Sequence, residues 1–162
     1  MGGAIARGLA KGTIIQTADI CVSNPSKGKL DALKGEFPTM QVTHSNVEAV
    51  KEADIVLLAV KPWYIEPVIK ELPLDTEKQI LVSVAAGISF EQYEEWVGEK
   101  MPVFRVIPNT AISQLESMTL IASHHATKEQ EQLMLDLFNE MGLAMLIPEK
   151  QMAATTALTS CG

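Results

Sequence analysis

The chain has 162 residues, with 13 Lys+Arg against 20 Asp+Glu and a formal net charge of −7. That length suits one ordinary domain, and 47% apolar against 20% charged residues excludes a disordered chain. The acidic balance argues against nucleic acid or an anionic membrane as partner, since both reward Lys/Arg patches.

Residues 2–11 read as a helix, with Ile5 and Leu9 four apart and Gly12 placed to end it. Asp19–Ser23 is a short β-rich run closed by Asn24-Pro25, and Pro25 opens a helical stretch from Ser26 to Lys34. Met40–Thr43 is a strand, and Asn46 is expected to cap a brief helix through Glu52. Asp54–Val60 is a continuous apolar run, the mark of a parallel strand covered on both faces. The cycle repeats with helix Trp63–Glu71 and strand Gln79–Val84. Then come the turn Ala85-Ala86-Gly87, helix Ser89–Val97 and strand Val103–Ile107, which ends at Pro108-Asn109-Thr110. Met118–Ala122 is a strand, Thr127 caps a helix to about Met141, and Gly142 ends it. Leu143–Ile147 is the last strand, and Pro148 starts a helix running to about Leu158. Such alternation predicts an α/β doubly wound, mostly parallel, Rossmann-like sheet. Turns at 61–62, 85–87 and 108–110 follow strand carboxyl ends, the edge where such sheets bind ligands.

Two cysteines, Cys21 and Cys161, cannot form a disulfide framework or a four-ligand zinc site, so a reducing cytoplasm is the expected compartment. No stretch reaches the roughly 18 apolar residues of a membrane span. Arg7 and Lys11 interrupt the early apolar patch, so no signal peptide is expected. His44, His124 and His125 lack metal-ligand spacing, and no carboxylate or cysteine pattern joins them in sequence, so no metal site is expected. The methionines, Trp63 and Trp96 read as core or interface packing.

The opening Met1-Gly-Gly-Ala-Ile-Ala-Arg-Gly-Leu9 looks like the back half of a strand–glycine turn–helix unit. Only Gly2, with Gly3 beside it, could be the last glycine of a G-x-G-x-x-G fingerprint. This run resembles the segment after the glycine turn in pyrroline-5-carboxylate reductases. So do Ala59-Val-Lys-Pro62, Val84-Ala-Ala-Gly-Ile88 and Arg105-Val-Ile-Pro-Asn-Thr110. Ala154-Thr-Thr-Ala-Leu-Thr-Ser-Cys-Gly162 resembles the start of the family's "AVTALSGSGPAY" segment. The ordered set covers essentially the whole chain.

The resemblance implies a cofactor domain over 1–147, with 148–162 starting a helix that leads to an absent helical domain. It also implies an absent first strand. That strand would lie between 19–23 and 54–60, so its loss should leave a slot, unless the sheet has closed up into a direct ladder.

The implied reaction is NAD(P)H-dependent hydride transfer to a cyclic imine, 1-pyrroline-5-carboxylate, giving L-proline. The protein would orient the cofactor and carry no triad or metal. Gly2 and Gly3 would let the helix N-terminus approach the pyrophosphate. Ser23, Asn24, Ser26 and Lys27 follow the second strand without the acidic residue that holds a 2′-hydroxyl in NAD sites. They suit the 2′-phosphate of NADPH, with NADH as the alternative, or else form a plain Asn-Pro turn. Ala59, Val60, Lys61 and Pro62 would border the ribose and nicotinamide, with Lys61 read mainly as a solvated charge. Ala86 and Gly87 would supply room and backbone donors, and Asn109 would fix the nicotinamide amide or form the turn. The catalytic residues are unassigned.

A homo-oligomer is implied for the longer protein, and the apolar face of the 149–158 helix predicts self-association. The fragment itself is expected to be inactive. The competing readings are a related imine or deazaflavin reductase, and a non-catalytic dinucleotide-binding or assembly module.

Overall fold

Glycine, proline and capping hydroxyls divide the apolar runs into the elements seen in the computed structural model. It describes residues 1–159, with side chains as far as Ala157. In chain order these are α1 (Gly2–Ala10), β1 (Cys21–Ser23), α2 (Lys27–Glu36), β2 (Gln41–Thr43), α3 (Asn46–Val50), β3 (Ile55–Leu58) and α4 (Pro62–Glu71). There follow β4 (Ile80–Ser83), α5 (Phe90–Val97), β5 (Val103–Ile107), β6 (Ser117–His124), α6 (Lys128–Asn139), β7 (Gly142–Leu146) and α7 (Met152–Thr159). Short 3-10 turns cover Thr17–Asp19, Thr110–Gln114 and Glu149–Gln151.

The strands form a five-stranded sheet in the order β3-β4-β5-β6-β7 and a separate parallel pair, β1-β2. Within the larger sheet only β5–β6 is antiparallel. Among the described residues no ladder joins β1 to β3, so the sheet has not closed up. A cleft of about 1980 Å³ runs there instead, lined by Ile20–Asn24 on one bank and Asp54–Val60 on the other.

Alternation along the strands supplies both faces with apolar side chains. Val56, Leu58, Leu81 and Val103 pack with Ile65 and Ile69 of α4 and Tyr93 of α5. Ile80, Val82, Phe104 and Val106 pack on the other face with Ile5 of α1 and Met134, Leu137 and Phe138 of α6. Each such fully buried side chain contributes about 1.5–3 kcal/mol. The smaller cluster of Ala6, Ile20, Leu33 and Met40 holds β1-β2. Helix α1 therefore bridges the two: Ile5 belongs to the larger core and Ala6, the next residue, to the smaller.

Helix starts follow capping chemistry. Ser89 and Thr127 each form a capping box, with Gln92 and Gln130 respectively. At α3 the cap is Ser45, whose Oγ accepts from the Glu48 N–H, and not Asn46, which is the first helical residue. The 19–23 run is split: a 3-10 turn occupies its start, leaving a strand of three residues. Gly142 has φ of 135°, and its Cα lies so close to the Ser117 backbone that a side chain there has no room.

Two packing expectations are corrected. Met152 of the last helix is only 2% exposed and sits in the α4/α5 core, contrary to expectation, while Ala153 and Ala157 of the same helix are exposed. Leu158's side chain, like residues 160–162 with Cys161, lies outside the described residues. Trp63 is 68% exposed and is not a core residue. The apolar surface instead lies on the edge strand β7, where Leu143, Met145 and Leu146 are exposed.

Candidate nucleotide site

The parallel ladders align the ends of three strands. Leu58 pairs with Ser83, and Ser83 with Arg105, so β3, β4 and β5 point their carboxyl ends to one edge. The corners at 61–62, 86–87 and 109 all leave from that edge, as the sequence predicts. Lys61 is the N-cap of α4 and is exposed, with Pro62 at the first helical position. Ala86 and Gly87 are exposed in the turn, where Gly87 has φ of 78°.

Helix α1 enters this edge from the β1 side of β3. A Cβ built on Gly2 would lie 3.0 Å from the Ala59 Cβ, tighter than ordinary contact, so glycine eases the close approach of the start of α1 to the end of β3. This is the packing demand placed on the last glycine of a dinucleotide fingerprint. The first turn of α1 contains no acidic residue, and no described side chain caps it. Its leading N–H groups and positive dipole end are therefore left for an anion.

The cleft brings together Gly2, Gly3, Ser23, Asn24, Ala59 and Val60 from the predicted set. Ser26, Lys27, Lys61, Pro62, Ala86, Gly87 and Asn109 lie outside its lining, on flanking turns. Several predicted polar groups are already engaged. Ser23 Oγ donates to Asn46 Oδ1 at 2.7 Å, and Asn24 Oδ1 accepts from the Ser26 N–H at 2.8 Å, an Asx turn. His44 Nδ1 lies 2.9 Å from the Asn24 carbonyl. Asn109 is the N-cap of the 110–114 turn: its Oδ1 accepts from the Ala111 N–H at 3.1 Å. That bond favours the turn-forming reading of Asn109. Lys27 is exposed at the start of α2.

Sequence reasoning missed Pro25, Gly28, Lys29 and Tyr64, which also line the cleft. Tyr64 had a legible signal: an aromatic on the first turn of a helix just after a strand's carboxyl corner. Arg105, from the Arg105–Thr110 motif, serves packing rather than the rim. Its Nη1 pairs with Glu149 Oε1 at 3.1 Å, and its guanidinium stands 5.7 Å from the centre of the Phe90 ring. The same Glu149 oxygen accepts from the Phe90 N–H.

A family model described as NADP oxidoreductase, coenzyme F420-dependent, matches residues 1–87. A pyrroline-5-carboxylate reductase of Methanosarcina acetivorans is 33% identical over 164 residues, covering 100% of this chain and 60% of that protein. One from Pseudomonas aeruginosa is 35% identical over 151 residues, covering 91% of this chain and 55% of that protein. The crystal structure of Plasmodium falciparum pyrroline carboxylate reductase with NADP bound matches at a TM-score of 0.88 and 29% identity, covering 100% of this chain and 59% of that one. Aquifex aeolicus prephenate dehydrogenase shares the fold, with a TM-score of 0.74 at 13% identity over 99% of this chain and 62% of that one. The chain thus spans about 60% of the length of the first of these reductases.

Proposed function

The chain belongs to the family described as NADP oxidoreductase, coenzyme F420-dependent, and from that premise we propose that it is the nucleotide-binding domain of a pyrroline-5-carboxylate reductase. Residues 1–147 form the domain, and 148–162 lead toward the part of the protein that completes the substrate site. The observation that carries this reading is the approach of Gly2 to Ala59, which sets an uncapped helix N-terminus beside the aligned strand ends. These residues fit an NADP-type cofactor.

The α1 N–H groups would hold the pyrophosphate, and Ser26 and Lys27 would face the 2′-phosphate, since no acidic residue stands between Ser23 and Lys29 to repel it. Ala59, Val60 and the 86–87 turn would border the ribose and nicotinamide, with small side chains that exclude little space. When bound, the nicotinamide supplies a hydride to the imine carbon of 1-pyrroline-5-carboxylate, and the ring nitrogen takes a proton to give L-proline. No side chain of this chain is assigned to that proton. The compartment proposed is the cytoplasm, on the low cysteine content; among the described residues no helix is long and apolar enough to cross a membrane. A homo-oligomer is proposed for the longer protein, and the exposed Leu143, Met145 and Leu146 supply an apolar surface for it.

Fluorescence titration of the 162-residue chain with NADPH and NADH tests the site. NADPH is expected to bind more tightly, and Lys27→Ala to weaken NADPH alone; a clear NADH preference overturns the 2′-phosphate assignment. In a proline-forming assay this chain alone is expected to be silent, because substrate groups are placed elsewhere. Turnover by it refutes that division of labour.

A further inference from the structure

In a regular strand, successive side chains leave on opposite faces. His124 is the last residue of β6, and the next residue, His125, departs from that pattern with φ of 56°. Few non-glycine residues occupy this region, and they do so at some cost. Here it turns the second ring back toward the first, so that the two ring centres stand 3.9 Å apart. Both rings then aim at one atom. Oε2 of Glu94, on α5, lies 2.7 Å from Nε2 of His124 and 2.7 Å from Nε2 of His125. The His124 ring is fixed from behind by stacking on Phe90, one turn earlier on α5, with centroids 5.1 Å apart and planes within 13°.

We infer that Glu94, His124 and His125 form a binding site for a first-row divalent cation of the zinc class. Two imidazoles and a carboxylate are the donor set such ions take, whereas calcium and magnesium prefer oxygen alone. The three candidate ligand atoms lie within 4.8 Å of one another. Ligand atoms on a tetrahedral zinc stand about 3.3 Å apart, so the two 2.7 Å separations need to open by only about 0.6 Å. All three side chains are about one-third exposed, which leaves a fourth position to water. A single histidine would satisfy the carboxylate as a hydrogen-bond partner. The strained second histidine is what a plain ion pair does not require.

The position separates this site from the nucleotide rim. His124 pairs with Val103, the first residue of β5, so the cluster sits at the amino edge of the parallel strands. An ion there would tie α5 to the turn between β6 and α6 and would touch no reacting atom.

Calorimetric titration of the 162-residue chain with Zn2+ is expected to show one saturable site. Glu94→Gln and His125→Ala should each weaken it at least tenfold, while Cys21→Ser, which removes the free thiol among the described residues, should leave it unchanged. In the unaltered chain, Zn2+ should shift the ring resonances of His124 and His125 and spare those of His44. Absence of saturable binding, affinity in both variants unchanged from the unaltered chain, or loss confined to Cys21→Ser overturns the assignment.

Discussion

Strands β3 to β7 reach eight residues and lie between two buried clusters, whereas β1 and β2 pair over three residues and rest on four buried side chains. The larger sheet is covered on both faces at β3, β4 and β5 and bared at its β7 edge, and the pair has its cleft-facing edge open. The pair is attached by helices α1 and α3, and not by a ladder. Sheet continuity and sheet cohesion are thus separate properties of this molecule. A cleft can run through its middle because the packing that spans it is side-chain packing on helices, with α1 and α3 each touching both regions.

The largest effect is expected in the larger sheet. Phe104 is fully buried among α1, α6 and strand residues, and Phe104→Ala should cost about 3–5 kcal/mol in urea unfolding, with both regions lost together. A loss below about 1 kcal/mol would show that this core is not what holds the molecule. Ile5→Ala comes next, at about 2–4 kcal/mol, because Ile5 is only 1% exposed on the bridging helix. Its signature differs: amide exchange should accelerate at 21–23 and 41–43 well before 80–83 and 103–107. Uniform acceleration would mean that the two regions are not held in different ways.

Gly2→Val tests the seam itself. A Cβ there already lies tight against the Ala59 Cβ at 3.0 Å and the valine methyls reach further, so the first turn of α1 must shift locally. NADPH affinity should fall by about tenfold or more, since a helix N-terminus has to sit close to the phosphates it binds, and the melting temperature should change little. Unaltered affinity removes α1 from the site.

The smallest effect is acid sensitivity at the two anchors of α1. The hydrogen-bonded Arg7 guanidinium holds the Glu36 carboxyl below its usual pKa and ties α1 to α2. The Thr13 and Ile14 N–H groups and the Thr13 hydroxyl do the same to Glu140, tying the segment after α1 to the end of α6. In both, the folded pKa is the lower one. Their stabilisation is therefore complete above the ordinary carboxylate range, about 4.3, and is lost as pH falls through the depressed folded values. Melting temperature should decline on acidification there, and less so in Glu36→Gln and Glu140→Gln. A rise would contradict the sign.

Element order and the shared rim were legible because β3, β4 and β5 are short apolar runs whose following turns carry glycine or proline, and because parallel strands share a carboxyl edge. Strand limits were less so. Ala59 and Val60 follow β3 without joining its ladder, since pairing depends on neighbours that periodicity does not name. Ser45 and Asn46 are both good caps by type, and the Glu48 N–H settled the choice for Ser45. Met152 looked exposed because its burial depends on helices α4 and α5, far away in the chain. The same holds for the two histidines. Their carboxylate is 30 residues from His124, and no local spacing reports a partner delivered by a strand–helix crossover.

One further result follows from a helix that belongs to both cores. Because Ile5 and Ala6 face different neighbours, α1 cannot roll or slide without exposing one of them. A dinucleotide gripping its leading amides would then act as a splint as well as a ligand. Protease resistance of the β1–β2 lobe should rise with nucleotide occupancy even though that lobe supplies only part of the contact.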